Sequence, residues 1–253
     1  MAYKPIRNEI FHVHTWRCKH ASMDSDENYV QKALELGADR IVFTDHAPFP
    51  GNPFGNRMDI EQLPEYKSSM HDLKSKYDGM IEILCGLEIE YLSAFDDYIK
   101  RLRNDEALDV LIMGQHFSET VTGHYSFEGQ DAEMEFKALG KGMLRGIERR
   151  YFDVIAHPDR IFHKIMPFSD GCWRMSEEII DCLKQYEMDE ILLERNISST
   201  RRKNNYRSEF WEMVVAQGLK NREILGFDSH SVKELQKFWR RDGEEYEETF
   251  FNR

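Results

Sequence analysis

Short apolar runs separated by longer amphipathic stretches recur along the whole chain. Glu9–Val13 reads as a first strand, which delivers His12 and His14 at its end. Asp24, followed by Glu27, is expected to cap a helix that reaches Leu36, where Gly37 stops it. Arg40–Thr44 reads as the second strand. Pro48, Pro50 and Pro53, with Gly51 and Gly55, forbid a regular element over Phe49–Phe54. Leu63–Tyr77 predicts a helix and Ile81–Cys85 the third strand. Phe95–Leu102 predicts a short helix and Val110–Met113 the fourth strand. Glu133–Glu148 reads as a helix weakened by Gly140, Gly142 and Gly146. Phe152–Ala156 is the fifth strand. Ser176, with Glu178 near it, is expected to begin a helix to Tyr186, and Ile191–Leu193 is the sixth strand. Tyr206–Gln217 is a helix closed by Gly218, Glu223–Phe227 the seventh strand and Val232–Trp239 the last helix. The acidic tail Arg240–Arg253, with Phe250 and Phe251 near its end, reads as a surface extension.

Seven strand–helix units without a linker imply an α/β fold with parallel pairing and helices on the outer face. A closed or nearly closed barrel explains why no second domain is visible. An open doubly wound sheet is the alternative, because periodicity does not decide closure. The length of 253 residues, 41% of them hydrophobic, suits one large domain or two small ones.

Charge and cysteine use narrow the function classes. With 34 Lys and Arg against 46 Asp and Glu, the net charge is −12, which opposes binding to extended nucleic acid. A few arginines in a pocket can still act locally on a small phosphorylated substrate. No apolar run approaches the roughly 20 residues that span a bilayer, and Met1–Asn8 leads into no signal-peptide pattern. Cys18, Cys85, Cys172 and Cys182 form no CxxC pair, so reduced thiols and a cytoplasmic protein are expected. The helix patterns do not decide the oligomeric state.

The candidate chemistry lies in where the polar residues fall. The strands lead into His12 and His14, Asp45 and His46, Glu88 and Glu90, His116, His157, and Asp228 and His230. In a parallel barrel these ends share one rim, where such folds build active sites. Residues two apart in an extended segment project to the same side, so His12 with His14, and Asp228 with His230, can reach one cation. A carboxylate such as Glu88 can bridge two cations. Nitrogen and carboxylate donors without thiolate suit zinc, iron or manganese, and their number exceeds the four a single zinc takes. One HxH or DxH alone is a weak signal, since a lone histidine at a buried strand end is more often a hydrogen-bonded core residue. Six strand ends that all carry such groups are hard to reconcile with packing, because buried polar groups need partners. Asp45 is expected to face the other way and fix a loop or orient a ligand. Pattern alone leaves His20 equally placed at the rim or on a surface loop. Cys18 is a candidate that the nearby histidines make unnecessary. His71 reads as solvated, and His124 and His163 as exposed loop residues.

With these residues in view, the sequence resembles the polymerase-and-histidinol-phosphatase (PHP) metal-dependent phosphoesterases. FHVHTWRCKHA at Phe11–Ala21 and FTDHAP at Phe43–Pro48 are similar to the family's first two motifs. GLEIEY at Gly86–Tyr91, GQHF at Gly114–Phe117, AHPDR at Ala156–Arg160 and FDSHS at Phe227–Ser231 resemble the remaining ones, in order. The resemblance implies a distorted (β/α)7 barrel, residues 1–253 as a single catalytic domain, and three divalent metals. It implies His12, His14, Glu88 and Asp228 around one metal. Glu88, His116 and His157 would hold the second, and His20, His46 and His230 the third, with Glu90 a neighbour only.

Within the superfamily the likeness is greater to the monofunctional histidinol-phosphatases. Met58–Tyr77 looks like their second helix region, and ERNISSTRRKNNY at Glu194–Tyr206 resembles their segment after the sixth strand. Arg195, Ile197, Ser199 and Thr200 depart from that segment's usual wording. Arg201 falls on the family's phosphate-contacting arginine, and Arg160 is a second phosphate candidate. The implied reaction is hydrolysis of a small phosphate monoester, with L-histidinol phosphate the leading candidate. A metal-activated hydroxide would attack, with Glu88 and Asp228 as bridging or positioning carboxylates. The rival readings are a PHP phosphoesterase for another small ester, a nucleotide or a short oligonucleotide, and a non-catalytic module that binds metal or phosphate.

Overall fold

The computed structural model describes residues 3–118, 131–187, 190–201 and 205–239, with Arg201 described in its backbone alone. Among them, seven parallel strands form one sheet in the order of the chain. They are β1 (Glu9–Val13), β2 (Arg40–His46), β3 (Glu82–Ile89), β4 (Val110–Met113), β5 (Val154–Ile155), β6 (Leu192–Asn196) and β7 (Glu223–Gly226). Sequential order rules out the doubly wound alternative, whose strand order reverses at a switch point. The sheet then curls back on itself. Phe227 and Ser229 donate their N–H groups to the carbonyls of Phe11 and His12, and His14 donates to the Ser229 carbonyl. An isolated parallel bridge joins Val13 to Ser229. The result is a nearly closed (β/α)7 barrel, as the alternation of elements implied.

The strands explain their own apolar runs. β2 and β4 are buried along their whole length, as strands covered on both faces must be. On β2, Ile41 and Phe43 face the helices while Val42 faces inward; on β4, Leu111 and Met113 face out and Ile112 in. The inner layer is Phe11, Val42, Val110, Ile112, Val154, Ala156, Leu192 and Ile224, with Tyr3 against Phe11 at a ring separation of 5.3 Å.

The helices α1 (Asp26–Leu36), α2 (Leu63–Lys76), α3 (Asp96–Arg103), α4 (Ala132–Arg149), α5 (Asp170–Leu183), α6 (Ile197–Arg201) and α7 (Ser208–Ala216), with a final helix over 232–239, follow the strands. Their apolar stripes, such as Tyr29, Val30 and Ala33 on α1, join one outer core. The glycines of α4 let it lie close to the sheet. A Cβ at Gly142 would come within 2.7 Å of the Gln115 amide, and one at Gly146 within 2.9 Å of Tyr91 Cβ.

Several boundaries differ from the sequence expectation. α1 is capped by Ser25, whose side chain accepts from Asn28 N–H; Asp24 instead accepts from Ser22 and from the Val232 N–H. α5 starts at Asp170 under the Ser169 cap, well before Ser176, which lies buried inside the helix and bonds back to the Cys172 carbonyl. β2 and β3 continue to His46 and Ile89, so Asp45, His46 and Glu88 lie inside the strands and Glu90 just after β3. β5 is reduced to two residues, and α6 was not anticipated. The tail Arg240–Arg253 and His124 lie outside the described residues. No described helix is long and apolar enough to cross a membrane. All four cysteines are free and buried.

Candidate metal centre

Three donors reach the rim through unusual backbone. His12, His157 and Asp228 have φ values of 70°, 35° and 50°. A non-glycine residue held in that region costs about 1–3 kcal/mol and persists where the surroundings demand it. At His12 the demand is a bulge. Ile10 pairs with Ile41 and Val13 with Phe43, so β1 spends one residue more than β2 over the same span. Ile10 and Val13 both face the helices. Phe11 and His12 therefore both turn inward, Phe11 into the barrel interior and His12 onto the rim, and His14 joins it from the next inward position.

Two glycines make room for the central carboxylates. Gly114 faces Glu88, whose carboxyl carbon would lie 2.6 Å from any added Cβ. Gly226 gives the same clearance to Glu194, whose carboxylate any Cβ would overlap. Both glutamates are fully buried.

Glu88 sits between two sets of imidazoles. Its Oε1 lies 3.0 Å from His157 Nε2 and 3.6 Å from His116 Nε2. Its Oε2 lies 3.0 Å from His46 Nδ1, 3.3 Å from His12 Nε2 and 3.4 Å from His14 Nε2. Asp228 Oδ1 is 3.3 Å from His14 Nε2 and 3.9 Å from His12 Nε2. The ring of His230 stacks 4.3 Å from that of His14, and His20 lies 4.5 Å from His230 and 5.3 Å from His46. All nine candidates thus meet at one end of the barrel. The donor atoms of eight of them form the overlapping triplets His12–His14–Asp228, His12–Glu88–His157, His46–Glu88–His116 and His14–His46–His230, while His20 joins none of these and adjoins the others through its ring contacts alone. These triplets overlap the ligand sets implied by resemblance and place His46 and His14 where sets meet.

In four of the histidines the other ring nitrogen is committed elsewhere. His12 Nδ1 donates to Glu194 Oε1 at 2.6 Å and His116 Nδ1 to Glu90 Oε1 at 3.0 Å. His20 Nδ1 donates to the Cys18 carbonyl at 2.6 Å, and His230 Nδ1 to that of Asp228 at 3.1 Å. An acceptor at Nδ1 fixes the tautomer and leaves Nε2 bare, the usual arrangement behind a metal-ligating histidine.

Electrostatics point the same way. Burial pushes His14, His46 and His116 below the ordinary imidazole value, and burial beside His14 takes His230 down to about 4. Burial alone would raise Glu88 and Asp228, but the histidines around them hold both well below the usual carboxylate range. His12 runs the other way: despite its burial, Glu194 and Glu88 raise it well above the ordinary imidazole value, so in the metal-free chain a proton on His12 offsets part of the carboxylate charge that a bound cation would meet. His12 Nε2, His14 Nε2, His46 Nδ1, Glu88 Oε2 and His230 Nε2 are buried and complete no hydrogen bond among the described residues. Five such atoms in one cage are costly unless a cation takes them up. The donor set therefore fits divalent metal.

Other candidates sort around this cage. Asp45 faces away from it and accepts from Thr15 Oγ1 at 2.6 Å and from Cys18 Sγ at 3.2 Å, which fixes the loop after β1 as expected. Burial pushes the Cys18 thiol well up, so it stays a donor to Asp45 and rests 3.4 Å from His14 Nδ1. Arg160 is half-buried in the turn after His157, and its charge adds to burial in lowering His116. Arg201 ends α6, and its side chain lies outside the described residues. His71 is exposed as expected. His163 is not: it is half-buried, bonds the Arg160 carbonyl at 2.9 Å, and is brought down to about 4 by burial.

Sequence reasoning missed two groups. Glu194 holds His12 through one oxygen and the His157 N–H through the other, at 3.0 Å. Its signal was available, since it directly follows the run Ile191–Leu193. Arg57, which grips Glu90 through two bonds of 3.0 Å, sits in a loop with no local signal.

Known proteins carry the same pattern. The PHP domain family matches residues 11–197. The histidinol-phosphatase of Bacillus subtilis (strain 168) is 26% identical over 256 aligned residues, covering 88% of this chain and 94% of that protein. The HisK protein of Listeria monocytogenes superposes with a TM-score of 0.73 at 20% identity, over 93% of this chain and 99% of its own. The histidinol phosphate phosphatase of Lactococcus lactis subsp. lactis Il1403, solved with zinc, L-histidinol and phosphate, gives 0.68 at 18% identity over 94% of each chain. At those identities the two structures establish a shared fold.

Proposed function

The chain belongs to the PHP domain family, and on that footing we propose that it is a metal-dependent phosphomonoester hydrolase. Its proposed substrate is L-histidinol phosphate, split to L-histidinol and phosphate in histidine biosynthesis, with residues 1–253 acting as one catalytic domain. The similarity to the B. subtilis histidinol-phosphatase over nearly the whole of both chains supports that choice of substrate. The observation that carries the reading is the cage itself: a buried glutamate whose two oxygens each address their own imidazoles.

We assign His12, His14, Glu88 and Asp228 to one cation, Glu88, His116 and His157 to a second, and His20, His46 and His230 to a third. Zinc, iron and manganese all suit these donors. When bound, such cations lower the pKa of water and neutralise charge that develops on phosphoryl oxygens. Glu88 and Asp228 stay ionised and hold the cage; they do not shuttle protons. Glu194 and Glu90 keep the Nε2 atoms of His12 and His116 turned inward. Arg160 and Arg201 are assigned to the non-bridging phosphate oxygens, which a planar guanidinium can address in pairs. Against a net charge of −12, anion capture depends on such local positive groups.

The test is anaerobic purification with elemental analysis, followed at once by steady-state rates on histidinol phosphate, nucleoside monophosphates and short single strands. Histidinol phosphate is expected to show the highest kcat/KM. A nucleotide or oligonucleotide hydrolysed faster would move the substrate assignment. Metal-loaded protein that binds phosphate but cleaves no ester would favour a binding module.

A further inference from the structure

Arg57 belongs to none of the ligand sets above, yet it is only 2% exposed. Its Nη1 and Nη2 each donate to one oxygen of Glu90 at 3.0 Å, and Nη1 also donates to the Ala47 carbonyl at 2.9 Å. The guanidinium lies 5.3 to 5.8 Å from the ring centroids of Phe49, Phe54 and Phe117, which wall it off from water. Ala47 directly follows His46 at the end of β2, and its N–H bonds the Glu88 carbonyl at 2.8 Å. Glu90 directly follows β3, and the oxygen that receives Arg57 Nη2 also receives His116 Nδ1. One buried cation therefore ties the strand end that carries His46 to the carboxylate that orients His116.

The geometry points to Arg57 as a positioning residue of the metal centre: through Glu90 it sets the tautomer and aim of His116, so that Nε2 faces the Oε1 side of Glu88. The inference rests on the metal reading above and extends it beyond the ligands. Glu90 alone could rotate and offer either oxygen. Two parallel N–H bonds from a planar fork fix the carboxylate plane, and with it the direction from which His116 is held. A lysine would supply charge but no fork. The three phenylalanine rings hold the fork itself, so the aim of a histidine is set by packing two shells away.

The experiment titrates zinc into chelator-stripped wild type, Arg57→Lys, Arg57→Ala, Glu90→Gln and the Arg57→Ala/Glu90→Gln double variant. Calorimetry and elemental analysis are the readouts, with the melting temperature of each metal-free protein alongside. Wild type binds zinc at each site. Arg57→Lys, which keeps the charge, is expected to match wild type in metal-free melting yet lose about 10- to 100-fold in affinity at one site. Arg57→Ala is expected to lose at least as much and to recover part on addition of guanidinium, which the emptied phenylalanine box can seat. In the Glu90→Gln background, Arg57→Ala should cost little more, because it acts through Glu90.

Arg57→Lys that binds zinc as wild type does, or an Arg57→Ala loss undiminished by Glu90→Gln, overturns the inference. If Arg57→Ala fails to fold, Arg57→Lys decides alone. If wild type itself takes up no zinc, the metal reading falls first, an outcome distinct from wild-type uptake unaffected by Arg57.

Discussion

Glu194 holds His12 and the backbone of His157 at once: one carboxylate oxygen accepts a hydrogen bond from His12 Nδ1 at 2.6 Å, the other from the His157 N–H at 3.0 Å. A single side chain from β6 thereby fixes donors on β1 and beyond β5. Glu194→Ala is expected to lower metal affinity or kcat/KM by about 10- to 100-fold with the fold retained. Elemental analysis of the purified variant, beside its circular dichroism, checks this. Wild-type metal content and wild-type rates together would remove Glu194 from the centre.

Gly114 tests the room that the central carboxylate needs. The three atoms nearest to a methyl group there all belong to the Glu88 side chain. Gly114→Ala is expected to reduce both bound metal and turnover of p-nitrophenyl phosphate strongly. Its effect on folding stability should stay near the about 1–3 kcal/mol typical of overpacking. A variant destabilised but fully loaded with metal would show that Glu88 can step aside.

Stability of the metal-free protein should fall in mild acid. His230 and His163 are held at about 4 in the folded chain, against an ordinary imidazole value of 6.5. Between those values the unfolded chain binds more protons, so acid favours unfolding. Glu88 and Asp228, held well below the usual carboxylate range, act in the same direction at lower pH. Asp45 and Asp159, both raised to about 6 by burial, oppose it in part between about 6 and 3.8. Urea midpoints of chelator-treated protein from pH 7 to pH 4 should decrease steadily. A flat or rising series would contradict these assignments.

The two arginines should act on substrate more than on metal. Arg160→Met and Arg201→Met are each expected to raise KM for the phosphate ester while metal stoichiometry stays at the wild-type level. Unchanged kcat/KM in either variant would take that arginine out of the phosphate site.

Much of the architecture was legible because the strands, covered on both faces, appear as short apolar runs between amphipathic segments. The strand ends were harder to read for a physical reason. Asp45, His46 and Glu88 continue β2 and β3 as polar residues inside a buried sheet, so the apolar signal stops just where the chemistry starts. The bulge at His12 depends on the register of β2 and leaves no mark in β1 alone. The histidines and acids of the cage were readable from their positions after successive strands. Glu194 was readable by the same rule, but its pairing with His12 across 182 residues was not, nor was that of Arg57 with Glu90 across 33, separations that no local pattern encodes.

The barrel's seam lies between β1 and the segment after β7, fastened by the two backbone bonds of the Val13–Ser229 bridge and a third from Phe227 to Phe11. His12 and His14 stand on one lip of that seam, Asp228 and His230 on the other. The place where the ring of strands is buckled shut is thus also where its reactive groups are gathered. A sequence change that lets the buckle slip would pull those groups apart before it disturbs any helix, so loss of chemistry should be the earliest sign of a loosening fold.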